Sequence, residues 1–108
     1  MIKTINLKGK EYAPVSARVE QFHKDYKNGC IQNSYEFKEG YAIFTSTVSY
    51  EGDPEKTRTF TGHSFGKVTG DKSFEKLETV AVGRALAFAG YLAGGEIASF
   101  EEVEQLIK

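Results

Sequence analysis

The chain has little of the chemistry that marks catalytic or secreted proteins. Of its 108 residues one is a cysteine, Cys30. A lone thiol forms no internal disulfide, which fits a reducing compartment, and without an activating base it reads as an ordinary strand residue. Histidines number two, His23 and His63. With a single cysteine they cannot complete a four-ligand zinc site of ordinary spacing. No apolar run reaches the roughly 18 residues of a membrane span. The opening "MIKTINLKGKEY" has no apolar signal region either. A cytoplasmic protein with no metal or other cofactor is the expectation.

Catalytic constellations are missing as well. "GHSFGK" at 62–67 resembles a phosphate loop but is one residue short and lacks the Ser or Thr after the lysine. Asp25, Asp53 and Asp71 fall where turns, caps or a solvated helix face explain them. No nucleophile, base and orienting group stand out as a set. The chain is therefore expected not to be an enzyme.

Strong charge is also absent, since the net charge is −1. It is unevenly spread: residues 1–92 hold thirteen Lys/Arg against eleven Asp/Glu, and residues 93–108 hold one against four. A mildly basic body thus carries an acidic end.

What is present is enough for one small domain over 1–108, with its core in 8–92, since 40% of the residues are hydrophobic. "MIKTINL" can form a short edge strand. Pro14 opens a helix whose apolar stripe is Val15, Val19, Phe22 and Tyr26, ended by Asn28-Gly29. Period two follows. Ile31, Tyr35 and Phe37 share one face, with Gln32, Ser34, Glu36 and Lys38 on the other. After a Glu39-Gly40 turn, Ala42, Phe44, Val48 and Tyr50 alternate with Ile43, Thr45, Thr47 and Ser49. "TRTFTGHSFGK" is a third strand with Phe60 and Phe65 on opposite faces. A helix from about Phe74 to Leu92 comes next, broken by Gly94-Gly95. Ser99 and Glu102 form a capping box for a short acidic helix over 99–108. The predicted fold is α+β, a three-stranded antiparallel meander in the order α-β-β-β-α with that short C-terminal helix.

The long helix is apolar on nearly every side. At 100° per residue, Leu77, Val80, Ala81, Phe88 and Tyr91 form a stripe toward the sheet. Val82, Leu86 and Ala89 form a second strip, and Thr79, Gly83, Ala87 and Gly90 a third of small residues. The sheet covers one side, so the remaining cover comes from the chain's other helices or from another subunit. Arg84 falls inside the first stripe on this rotation. There it needs a carboxylate such as Glu36 or Glu78, a phosphate, or a route to water.

The segment "LETVAVGRALAFAG" resembles the helix motif, roughly Glu-Thr-Ser-Ala-(Ile/Val)-Gly-Arg-Ala-Leu, of phage and prophage single-strand annealing proteins of the Erf and Sak kind. These are grouped with the eukaryotic recombinase Rad fifty-two. "KGKEYAPVSARVEQFHKDYKNGCI" and "TGHSFGK" are similar to segments of small phage proteins that carry the motif. Val80 stands where the motif usually has Ser. The resemblance implies a β-β-β-α core, a homo-oligomeric ring or filament, and single-stranded DNA bound in a basic groove. It implies coating or annealing of strands during phage recombination or replication, with little sequence preference.

The residues give a matching picture. Arg58, Lys67, Lys72 and Lys76 are expected to form one positive ridge that tracks phosphates. Tyr41, Tyr50, Phe60 and Phe65 offer faces on which bases can stack, and Arg84 is a further candidate for a phosphate. Two other readings stay open. The element order is also that of double-stranded RNA-binding domains, and an apolar helix strip beside a free sheet edge also suits a phage module that blocks a host protein.

Overall fold

In the computed structural model, residues 2–52 and 56–95 are described. The elements run β1 (Ile5–Leu7), β2 (Lys10–Tyr12), α1 (Val15–Asp25), β3 (Cys30–Lys38), β4 (Tyr41–Glu51), β5 (Thr57–Lys67) and α2 (Asp71–Phe88). The fold is α+β. A three-stranded antiparallel sheet in the order β3-β4-β5 carries two helices, and β1 and β2 pair separately as a small hairpin. The short helix expected over 99–108 lies outside the described residues.

Tight turns set the register. Glu39 and Gly40 have φ of 54° and 84°, the doubly positive pattern of a two-residue hairpin turn, and they place Lys38 opposite Tyr41. Lys8 and Gly9 repeat it at φ 52° and 83°, so the N-terminal segment is a hairpin and not the single edge strand its sequence suggests. The alternation read from β3, β4 and β5 holds throughout. Ala42, Phe44, Ser46, Val48 and Tyr50 are buried toward the helices, and their neighbours in β4 point the other way.

The long helix is shifted from its expected span. It begins at Asp71, where the Ser73 hydroxyl accepts from the Thr69 amide and donates to the Gly70 carbonyl, each at 2.8 Å. It stops at Phe88 because Gly90 takes φ 107°. The Gly90 amide then donates to Ala87 O (3.0 Å) and the Tyr91 amide to Leu86 O (2.8 Å), which satisfies two end carbonyls. Gly90 ends the helix before Gly94-Gly95 can. Likewise α1 ends at Asp25, ahead of Asn28-Gly29.

The buried arc of α2 is Ala81, Val82, Gly83, Ala85 and Leu86, which corrects the stripe read from ideal rotation. Ala81 and Ala85 lie directly over Gly62 of β5, where an added Cβ would stand 2.3 Å from the Ala85 amide nitrogen. No side chain fits between them, so the small residues let helix and sheet backbones touch. On the next side Gly83 admits α1, with Val15 Cγ2 3.0 Å from where its Cβ would be. The strip of small residues therefore receives a helix of the same chain at Gly83. Phe22, Val48, Tyr50, Val82, Leu86 and Tyr91 form the main core between α1, α2 and the sheet. Ala42, Phe44 and Ala81 form a second, flanked by Phe74 and Leu77. No helix is long and apolar enough to cross a membrane among the described residues.

Candidate nucleic-acid interface

Helix α2 packs on one face of the sheet, and among the described residues nothing packs on the other. Register and alternation put three rows of side chains across that open face. Lys38, Tyr41 and Lys67 form the first row. Glu36, Ile43 and Phe65 form the second, and Ser34, Thr45 and His63 the third. Threonines and serines fill the rest of β4 and β5, apart from Glu51 at the far end of β4, a surface that makes hydrogen bonds without strong charge.

The first two rows stand out because their large apolar groups are exposed. Tyr41 is 43% exposed, Phe65 65% and Ile43 41%. A strand normally turns such residues inward, and alternation forces these outward. Tyr41 and Phe65 are diagonal neighbours whose rings lie parallel within 10°, with centroids 5.3 Å apart. The two rings stack on each other, and both remain exposed. Glu36, Lys38, Glu39, Tyr41, Ile43 and Phe65 enclose a hollow of about 320 Å³ beside them. In the third row His63 Nδ1 and Thr45 Oγ1 are 3.1 Å apart.

The nine residues expected to meet nucleic acid do not share one surface. Tyr41, Phe65 and Lys67 come together on the open face. Phe60 and Arg58 lie on the helix side of β5, opposite Val48 and Tyr50. Phe60 packs half-buried against the core and stacks on Tyr50 with centroids 6.2 Å apart. Its ring is thus taken up by packing against the core, and Tyr50 is buried in that core. Lys72 and Lys76 are exposed on α2. The single ridge of Arg58, Lys67, Lys72 and Lys76 is thus divided between the two sides of the sheet.

Arg84 is exposed, not held inside the apolar stripe, and it pairs with neither Glu36 nor Glu78. Its Nη1 donates to the His63 carbonyl at 2.8 Å, on the strand at the sheet's edge. With Lys76 it lines a cleft of about 480 Å³ floored by Val15, Val80, Gly83 and Ala87.

Two features were not read as functional from the sequence. Lys38 flanks Tyr41 on the opposite side from Lys67, which follows once Glu39-Gly40 is taken as a two-residue turn. Arg18 is the second. It is 5% exposed, and its Nε donates to Ala13 O (3.0 Å) while Nη1 reaches Gly83 O (3.2 Å) and Tyr91 O (3.4 Å). Burial lowers the pKa of its guanidinium below the ordinary value, and Tyr12 opposes that shift. Its position three after Val15 and four before Phe22 is the signal, because that spacing puts it on the buried stripe.

No protein-family model matches the chain, and no curated protein matches it in sequence.

Proposed function

We propose that this protein binds single-stranded nucleic acid on the open face of its sheet. One observation carries the reading: two exposed, parallel aromatic rings, Tyr41 and Phe65, stand on an uncovered sheet face with Lys38 and Lys67 directly beside Tyr41. A flat ring accepts any base, because every base has a π-face. Lysines one strand away hold the phosphates that follow the stacked bases. The resemblance of "LETVAVGRALAFAG" to the annealing proteins' motif favours DNA and a role in coating or annealing strands. Exposed Ile5 and Leu7 on the hairpin, and Tyr35 and Phe37 on the helix side of β3, leave the apolar surface that assembly into a homo-oligomer would cover.

Fluorescence anisotropy with labelled oligothymidine and with a duplex of the same length tests this. Tyr41→Ala and Phe65→Ala should each weaken single-strand binding by about 1–3 kcal/mol and leave the melting temperature nearly unchanged, since both rings are exposed. Binding that is unaltered in both variants, or stronger for the duplex, would refute it.

A further inference from the structure

The hollow beside the two rings has a chemistry of its own, and its placement rests on the reading just proposed. One wall is aromatic, from Tyr41 and Phe65, and Ile43 is the floor. The wall facing the rings is charged. Glu36 stands across Ile43 from Phe65, and Lys38 across from Tyr41. Both are exposed, and neither takes part in an ion pair or hydrogen bond among the described residues. A base stacked on the aromatic wall therefore turns one edge toward a carboxylate and an ammonium that stand side by side.

An ionised carboxylate only accepts hydrogen bonds and an ammonium only donates them. The matching base edge presents two adjacent N–H donors with a carbonyl oxygen next to them. Guanine has that edge: N1–H and N2–H face Glu36 as a bidentate, charge-assisted pair, and O6 faces Lys38. Thymine and uracil set a single N–H between two carbonyl oxygens, one of which would oppose the carboxylate. Adenine and cytosine offer one amino group beside an acceptor nitrogen. We infer that this hollow is a guanine subsite, with Glu36 as the residue that selects the base and Lys38 as its partner. Most of the open face stays tolerant of sequence, and the preference is confined to one nucleotide.

The test uses the full chain and labelled pentanucleotides of thymidine whose central position is dT, dC, dA, dG or deoxyinosine, read by anisotropy. The central dG strand should bind roughly tenfold more tightly than all-dT, the scale of one good bidentate contact. Deoxyinosine, which keeps N1–H and O6 but lacks the 2-amino group, should fall between them. Glu36→Gln, isosteric and on an exposed strand position, should remove most of the advantage of dG while leaving the all-dT affinity unchanged or slightly raised. Equal affinity for all five strands, or a dG preference that survives Glu36→Gln, overturns the inference while leaving the proposed function standing. Failure of every strand to bind removes both.

Discussion

Arg18 brings a full charge into the junction of three segments and donates to backbone carbonyls there. Ala13 O lies before α1, Gly83 O in the middle of α2, and Tyr91 O after it. The guanidinium's planar fork reaches all three together, which an ammonium on a flexible stem cannot do. Arg18→Met removes the charge and the donors that Arg18 supplies to these carbonyls. It should lower stability by about 3 kcal/mol or more, and Arg18→Lys should recover only part of the loss. Urea denaturation of both variants checks this, and equal stability of wild type and Arg18→Met would end the argument. Ser46 is the opposite case. Its hydroxyl is buried without a hydrogen-bond partner among the described residues, so Ser46→Ala should be neutral or stabilising by up to about 1 kcal/mol.

Tyrosines give the molecule a pH limit on the alkaline side. Burial, with a smaller contribution from Tyr26, pushes the Tyr50 hydroxyl up to about 12. Tyr91 is raised further, by burial and by the 2.6 Å hydrogen bond it donates to Asp25. A raised folded-state value means that the folded chain keeps protons that the unfolded chain has already lost. The stability tied to these two groups is therefore fully present below pH 10 and is lost as pH rises above it. With both groups contributing, the slope between about pH 10 and 12 approaches 2.7 kcal/mol per pH unit. Tyr91→Phe should flatten it, as measured by denaturation at stepped pH.

Among the elements, contact between helix and sheet decides how α2 sits. Gly62 lies under Ala81 and Ala85, and the Ser64 hydroxyl donates to the Leu77 carbonyl one residue pair along β5. A methyl group at 62 meets rigid backbone on three atoms of α2, so the helix itself must lift. Gly62→Ala should cost about 3 kcal/mol, whereas Gly40→Ala meets no atoms and suffers only from its positive φ of 84°. Thermal melts of the two variants would show which glycine the packing needs. The sheet was legible in the sequence because its period of two divides each strand cleanly between covered and open faces. The seat of α2 was not. A helix apolar all round gives no direction to its rotation, and the arc that wins is the one small enough to touch Gly62 and α1. Arg84 left the predicted stripe for that reason. The end of α2 moved because Gly90, at positive φ, turns the chain first, and α1 stops where Tyr26 takes an extended conformation.

At the scale of the whole molecule, the dispersal of charge makes a sharp distinction possible. A net charge of −1 gives little long-range attraction for a polyanion, so any phosphate contact has to come from local cations. Those cations sit on separate surfaces. Lys38 and Lys67 flank the stacked rings on the open face, while Lys72 and Lys76 project from α2, on the far side of the sheet. A single strand lying on the open face meets the first pair alone. Each phosphate contact with a single strand adds about 0.7 to the fall of log affinity per log unit of salt. With an all-dT strand, which places no guanine beside Lys38, Lys38→Gln and Lys67→Gln should each reduce that slope by about 0.7, and Lys72→Gln and Lys76→Gln should leave it where it is. The sequence alone groups Lys67 with Lys72 and Lys76, since they are close along the chain, and so predicts one common effect. The fold separates them, because β5 alternates its side chains between two faces and α2 returns behind the sheet. Salt titrations of the four variants decide between these outcomes. A slope reduced by the helix lysines and indifferent to Lys38 and Lys67 would move the strand to the cleft of Lys76 and Arg84 and leave the aromatic face without the role proposed for it.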